Sequence, residues 1–445
     1  MRIALRDTGS QRSAVPAVLL EILRPSPHRV APECAHFGPG TQVDRGCGGC
    51  SWQHIAYPEQ LRLKSALVER LLRGTLRQSP GVKPTLPGAS LNDPWGYRHK
   101  VHFVFGNRGG TARRRGALAM GHYARGSRRI VVVRECPVHD QRGNRAAFGL
   151  FDAFERAGVA AASPVEPYGD RVVKTGVLRS LAVRVATAGP EVMATLVVAN
   201  DRDKQLRAAT RRGMEDPGAP TALHLNLHPR DDAFIFGRDT RRIAGPERLR
   251  DEVAGTSFLM SPTSFFQTNV HAAEILVRLV LEAIPDAAVV LDLYAGTGLF
   301  ALPLATRGQL VTAIEENRAA IADAEVSARL NRVPAGRCRF VAGRVEAALA
   351  SVRRADAVVL DPPREGCAPE VIRDLLGRIR PQRVVYISCN PEALARDLAE
   401  AAAFPYAIDA VQPVDMFPHT AHIETVVTLS AVATAPSAGR PARRR

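Results

Sequence analysis

The sequence predicts an α/β fold, a parallel, doubly wound sheet with an antiparallel edge in the C-terminal part, preceded by an α+β region. Three observations predict it. From about Asp286 strand-like and helix-like segments alternate; the first of those strands runs into a glycine turn; and the last two apolar stretches, Ala407 to Val411 and His422 to Ser430, have no helix between them. Alternation implies parallel strands, because parallel neighbours need a crossover that is usually a helix, whereas strands joined without one pair antiparallel.

A chain of 445 residues is too long for one ordinary core, so two or three domains are expected. Between Leu91 and Ala244 the segments Tyr97 to Phe105, Leu181 to Ala186, Glu191 to Asn200 and Ala222 to His228 read as antiparallel strands. Helical stretches near Gly143 to Gly158 and Asp201 to Met214 interrupt them. The later strands are Ala288 to Leu293, Leu310 to Ile314, Arg339 to Ala342, Ala355 to Leu360 and Arg383 to Ser388, each with a helical segment after it. The end, Val432 to Arg445, is rich in small residues and closes on three arginines, a composition expected to be disordered.

Composition narrows the function. Apolar residues make up 46% of the chain, which is globular, yet no window approaches the roughly 20 uninterrupted apolar residues of a membrane span. No secretory signal is visible either, so a cytoplasmic protein is expected, without a membrane or an obligate protein partner. Lys plus Arg number 60 against 44 Asp plus Glu, a net charge of +16. Such an excess suits a polyanion such as nucleic acid, although an arginine-rich proteome gives the same balance. Arg113, Arg114, Arg115, Arg125, Arg128, Arg129 and Arg134 gather in one segment. They read as a phosphate track or as a solvated face.

The first late strand runs into Asp292-Leu293-Tyr294-Ala295-Gly296-Thr297-Gly298, where two glycines permit a tight turn beneath a ligand. The third glycine of the dinucleotide pattern is replaced by Ala301, which suits a nucleotide ligand without a pyrophosphate, such as S-adenosylmethionine. Glu315 follows Gly296 by 19 positions at the end of the next strand, where a carboxylate can accept both ribose hydroxyls. An ordinary βα turn followed by an exposed acid is the alternative. Asp361-Pro362-Pro363-Arg364 occupies the same carboxyl edge, as does Ser388-Cys389-Asn390-Pro391 one strand further on. A cysteine just before a helix feels that helix's positive end, which favours the thiolate. Cys389 is therefore a candidate nucleophile or a small buried apolar residue, and the second reading is applied to Cys338 and Cys367. His224 and His228 share a face of one strand without another ligand type nearby and are read as structural.

These motifs together resemble the bacterial RNA 5-methyluridine methyltransferases, which act on tRNA or 23S ribosomal RNA. The resemblance runs from about Leu23 to Leu429. It rests on Ser261 to Asn269, Asp292 to Gly298, Asp361 to Arg364, Ser388 to Pro391 with Arg396-Asp397-Leu398, and His422 to Val427. It implies a Rossmann-like class I methyltransferase sheet with S-adenosylmethionine as cofactor, contacted by Gln267, Tyr294, Gly296, Glu315 and Asp361. It further implies Cys389 as nucleophile and Glu424 as general base. Uracil C5 is too weak a nucleophile to take a methyl group from sulfur unaided, and a thiolate added at C6 makes it an enolate carbon. A uridine in folded RNA must also be extruded into the site, and Phe265 and Phe266 are read as stacking platforms or core aromatics.

Seven cysteines in a chain of intracellular character argue against a disulfide framework. Cys34, Cys47, Cys50 and Cys136 include a C-x-x-C pair, and such a set holds zinc or an iron–sulfur cluster. The run Cys47 to His54 is similar to the cluster segment of this family, which implies a [4Fe-4S] centre; the gap after Cys34 is longer than the family's. The expected organisation is residues 1–33 as a truncated remnant of a TRAM-like barrel, 34–250 as a cluster-bearing α+β RNA-binding domain, 251–431 as the methyltransferase domain and 432–445 as a basic tail. Ribosomal RNA is the expected substrate by analogy; tRNA, or a non-RNA substrate methylated from the same cofactor, are the alternatives.

Overall fold

A computed structural model describes residues 2–5, 17–38, 46–73, 80–108, 117–162, 176–230, 232 and 234–432. Arg113, Arg114, Arg115 and the tail after Val432 lie outside the described residues. The chain divides into two compact units: Met1–Leu63, Pro87–Ile275 and Asp415–His422 form the first, and Lys64–Leu86, Leu276–Val414 and Ile423–Arg445 the second. Among the described residues no helix is long and apolar enough to cross a membrane.

In the first unit, β1 (Arg2–Leu5) and β2 (Ala17–Glu21) pair antiparallel. After α1 (Tyr57–Arg73), which contributes residues to both units, comes a seven-stranded sheet. Its strands are β3 (Lys100–Arg108), β4 (Ala117–Tyr123), β5 (Ile130–Val132), β6 (Leu178–Val185), β7 (Val192–Val198), β8 (Ala222–Leu227) and β9 (Asp239–Ala244), in the spatial order β5-β4-β3-β6-β7-β8-β9. Two helices, α2 (Gln141–Arg156) and α3 (Lys204–Met214), supply Leu150, Phe151, Phe154, Leu206 and Ala209 to a core that also takes Phe103, Phe105, Leu181 and Val183 from the strands. Both helices start where the sequence supplies a carboxylate cap: Asp140 accepts from the Arg142 amide, and Asp203 from those of Gln205 and Leu206. The expectation of antiparallel strands throughout needs one correction, since β7 and β8 pair in parallel. The reason is α3, which returns the chain to the starting end of the sheet before β8 begins. A separate hairpin, β10 (Leu249–Val253) with β11 (Thr256–Met260), completes the unit.

The second unit follows α4 (Val270–Ala283), whose residues also fall in both units. It holds β12 (Val289–Leu293), α5 (Ala301–Thr306), β13 (Leu310–Glu315), α6 (Arg318–Leu330), β14 (Cys338–Ala342), α7 (Val345–Leu349), β15 (Ala357–Leu360), α8 (Pro369–Arg373) and a π-helical turn at Asp374–Ile379. Then come β16 (Arg383–Ser388), α9 (Pro391–Ala401), β17 (Tyr406–Val414) and β18 (Glu424–Ala431). The sheet runs β14-β13-β12-β15-β16-β18-β17. Its first five strands are parallel, and β18 pairs antiparallel with both β16 and β17, as the absence of a helix between the last apolar stretches predicts. Near-continuous apolar runs such as Ala357–Leu360, buried at every position, mark strands covered on both faces. This is the doubly wound α/β sheet with an antiparallel edge that the sequence predicts.

Candidate functional site

Strand order reverses at β12, which has β13 on one side and β15 on the other. The crevice outside the carboxyl ends at such a switch point is where open α/β sheets bind ligands. Leu293 and Leu360 are paired at the ends of β12 and β15, so Tyr294 and Asp361 leave adjacent strands side by side. Tyr294 adopts φ of 62°, a left-handed conformation that costs a non-glycine residue about 1–2 kcal/mol. Nothing in the sequence signalled it. Gly296 follows with φ of 54° and open space where a Cβ would stand, so its requirement lies in the backbone alone. Its N–H donates to Glu315 Oε2 at 2.9 Å, while the Asn317 N–H donates to Oε1 at 2.7 Å. Glu315 is thereby fixed at the glycine turn, with a lone pair left on each oxygen.

Asp292, at the end of β12, is fully buried and neither carboxylate oxygen has a hydrogen-bond partner of normal geometry. Burial pushes it well above the carboxylate range, the neighbouring Asp361 adds to this, and the Ala301 amide draws it back. An unpartnered buried carboxylate beneath the glycine turn suits a ligand that brings its own donors or positive charge.

The antiparallel edge brings the second half of the site together. Ser388 at the end of β16 is the register partner of Thr425 at the start of β18, so Cys389 and Glu424 stand opposite each other at the same sheet edge. Cys389 is partly exposed and free of disulfide bonding. Burial and then the charges of Glu424 and Asp361 push its thiol up to about 11, against a pull from Arg364. Burial first, and then the two carboxylates, thus act against the start of α9, which the sequence led one to expect would favour the thiolate. Glu424 is 4% exposed, with Oε2 unpartnered, and burial and Asp361 hold it well above its usual range. Asp361 is likewise raised by burial.

The Cys389 loop is built locally. Asn390 caps α9 by accepting from the Glu392 amide, Pro391 opens the helix, and Ser388 Oγ accepts the Asn390 N–H at 3.2 Å. Sequence reasoning gave Arg396 and Asp397 no role of their own; both belong to the helix that starts here.

Gln267 lies in the first unit, 9% exposed, between β11 and α4. Phe266 is a core aromatic against Phe258, whereas Phe265 is 62% exposed. His224 and His228 are buried, and His228 sits 3.1 Å from Asp232. Of the basic segment, Arg125 donates to the Cys50 carbonyl at 3.0 Å. Arg134 is paired with Asp152 and Glu155 and lies over the Phe151 ring, which makes it structural.

Cys34, Cys47, Cys50 and Cys136 all belong to the first unit and none forms a disulfide. Burial pushes Cys50 up to about 11 and Cys136 up to about 12, and each is raised further by its cysteine neighbours. Cys47 is raised by burial against the Gly49 amide, which donates to its Sγ at 3.4 Å, and Cys34 adds to the rise. The Cys34 amide donates to Gln53 Oε1, and the Cys136 amide to Asn144 Oδ1. The charges of Cys34 and Cys47 act on Cys50, and those of Cys47 and Cys50 on Cys136, so the four thiols share one neighbourhood, although among the described residues no group of three or more His, Cys, Asp or Glu is arranged to hold a metal ion.

Three comparisons bear on this arrangement. The family model described as tRNA (Uracil-5-)-methyltransferase matches residues 246–432. An uncharacterized RNA methyltransferase of Gloeobacter violaceus is 36% identical over 415 residues, covering 92% of this chain and 85% of the relative, and one of Synechocystis sp. is 35% identical over 438 residues, covering 97% and 89%. The crystal structure of the Pyrococcus abyssi tRNA (uracil-54, C5)-methyltransferase in complex with S-adenosyl-L-homocysteine superposes with a TM-score of 0.74 at 26% identity, covering 96% of this chain and 92% of that one.

Proposed function

The chain belongs to the S-adenosylmethionine-dependent RNA (uracil-5-)-methyltransferases, and from that premise we propose that it methylates C5 of a uridine in 23S ribosomal RNA through a transient bond between Cys389 and C6. The observation that carries the reading is the β16–β18 register, which sets a thiol and a buried carboxylate face to face at the ligand edge of the sheet.

S-adenosylmethionine supplies an electrophilic methyl group; Tyr294, Gly296, Glu315 and Asp361 at the switch point are the residues proposed to hold it, and Gln267 is proposed on the resemblance alone. Cys389, which is partly exposed, must first lose its proton to solvent, and its sulfur then forms the bond to C6 while the ring's C5–C6 electrons move toward O4. C5 would then take the methyl group as the bond from that methyl to the cofactor's sulfur breaks, its electron pair staying on sulfur so that S-adenosylhomocysteine leaves. Glu424, as carboxylate, takes the proton from C5, the C5–C6 double bond re-forms and the thiolate leaves. A carboxyl group held above its usual range is a stronger base once ionised, which suits it to removing a proton from carbon.

We assign a [4Fe-4S] centre to Cys34, Cys47, Cys50 and Cys136, with a structural role, since methyl transfer by this route needs no electron. The support is the mutual influence of the thiols and the Gly49 amide directed at Cys47 Sγ. A cytoplasmic location follows from an RNA substrate. The second reading, a uridine of tRNA, is favoured by the activity of the Pyrococcus abyssi enzyme, a tRNA (uracil-54, C5)-methyltransferase.

The test incubates the enzyme with methyl-labelled cofactor and separate ribosomal and transfer RNA, then maps 5-methyluridine. Label in ribosomal RNA supports the first reading and label in tRNA alone the second. RNA carrying 5-fluorouridine should trap a denaturation-resistant adduct at Cys389, since fluorine cannot leave as a proton. RNA that binds without forming an adduct would remove the covalent route.

A further inference from the structure

The loop from Asp361 to Cys367 carries one proposed cofactor ligand and is held from one side by α9, the helix that begins just after Cys389. Three contacts make the hold. Asn390 Nδ2 donates to the Arg364 carbonyl at 2.9 Å, Arg396 Nη2 donates to the Glu365 carbonyl, and the Cys367 N–H donates to Asp397 Oδ2 at 2.7 Å. Each engages loop backbone rather than a loop side chain, so the hold fixes the path of the chain itself.

Asp397 is only 4% exposed and is fully engaged. Its Oδ2 also accepts the hydroxyl of Tyr386 at 2.6 Å, and its Oδ1 takes Nε and Nη2 of Arg396 at 3.0 and 2.9 Å. Tyr386 lies on β16, two residues before Ser388, so the carboxylate ties the loop to the nucleophile's own strand as well as to its helix. Gly366 passes so close, at φ of 81°, that a Cβ there would stand 2.5 Å from Asp397 Oδ2. A carboxylate is costly to bury, and leucine would fill a helix position facing a core at no such cost. The three residues that donate to it, Cys367, Tyr386 and Arg396, all belong to segments flanking the site.

We propose that Arg396 and Asp397 are positioning residues for methyl transfer, clamping the Asp361 loop to the strand and helix that present Cys389. The inference rests on Cys389 being the nucleophile. The clamp sets the separation between the carboxylate of Asp361 and the thiol, and a shift of about 1 Å at a reacting group costs on the order of a hundredfold in rate. Without the clamp the loop drifts, water enters, and the thiol loses the desolvation and the Asp361 charge that raise it.

The test uses the full-length protein and four variants: Asp397→Ala, Arg396→Ala, Arg396→Lys and Cys389→Ala. Arg396 is 59% exposed at its side chain, so Arg396→Ala folds even where Asp397→Ala does not. Well below the unfolding transition, the rate of iodoacetamide labelling of Cys389 is followed against pH. The expected result is a midpoint that moves from about 11 toward the ordinary 9.0 in Asp397→Ala and Arg396→Ala. It is accompanied by a kcat lower by about tenfold to a hundredfold, with partial recovery of both in Arg396→Lys. A lowered melting temperature with wild-type labelling midpoint and wild-type kcat overturns the clamp and leaves only a structural pair. Full turnover by Cys389→Ala overturns the nucleophile reading instead, and the two failures are told apart by which variant shows them.

Discussion

The thiol of Cys389 offers the sharpest prediction, because its environment runs against the nucleophilic role proposed for it. With its pKa raised from 9.0 to about 11, the thiolate fraction near neutral pH falls by up to two powers of ten relative to an ordinary cysteine. Two effects shrink that figure. The residue is partly exposed, so solvent screens part of the carboxylate charge, and a more basic thiolate is intrinsically more nucleophilic, which returns about tenfold. The net expectation is that Cys389 reacts with iodoacetamide up to about tenfold more slowly than a cysteine in an unfolded peptide at the same pH. The sign with pH is fixed: the raised pKa keeps the group protonated at neutrality, so both labelling and kcat/KM rise about tenfold per unit from about pH 7 to about pH 9. The profile continues upward until the thiol itself titrates. The assay is mass-spectrometric quantification of labelled Cys389 in short pulses, alongside methyl transfer in the same buffers. A profile that is flat over this range, or labelling faster than in the peptide, refutes the claim that carboxylates and burial govern this thiol.

Three further outcomes are expected. Glu424→Gln should leave the RNA covalently attached, because the C5 proton has no acceptor; turnover falls by on the order of a hundredfold to ten-thousandfold and a protein–RNA band persists under denaturing electrophoresis. Cys50→Ser or Cys136→Ser should lower the iron content of anaerobically purified protein well below that of wild type, whereas Cys338→Ser should not, as colorimetric iron analysis will show. Gly296→Ala should cost only backbone strain, about 1–2 kcal/mol. Gly298→Ala, whose added Cβ would stand 3.2 Å from Leu302 Cγ as well, should cost more, and calorimetric binding of S-adenosylhomocysteine with thermal melts will rank the two.

Much of this was legible in the sequence because it rests on short-range pattern. Strand–helix alternation, the glycine turn and the proline after Cys389 each act within a few residues, and the strands at Val289–Leu293, Leu310–Glu315 and Arg383–Ser388 fall where periodicity puts them. The parallel pairing of β7 with β8 was hidden, since a run of apolar residues does not state which neighbour it meets. The left-handed Tyr294 was hidden too, because nothing forbids tyrosine a strained conformation when its surroundings impose it. The electrostatics of Cys389 could not be read at all. Helix position is local, but the burial and the carboxylates that act on this thiol, from the Asp361 loop and from β18, arise only on folding.

The reversed direction of β18 ties the proposed base to the closing of the sheet. Because this strand begins at the edge where β16 ends, Glu424 stands beside Cys389 only when β18 has paired with β16. The same strand joins β17 to the rest of the sheet, so whatever unseats it removes the proposed proton acceptor and frees the sheet edge together.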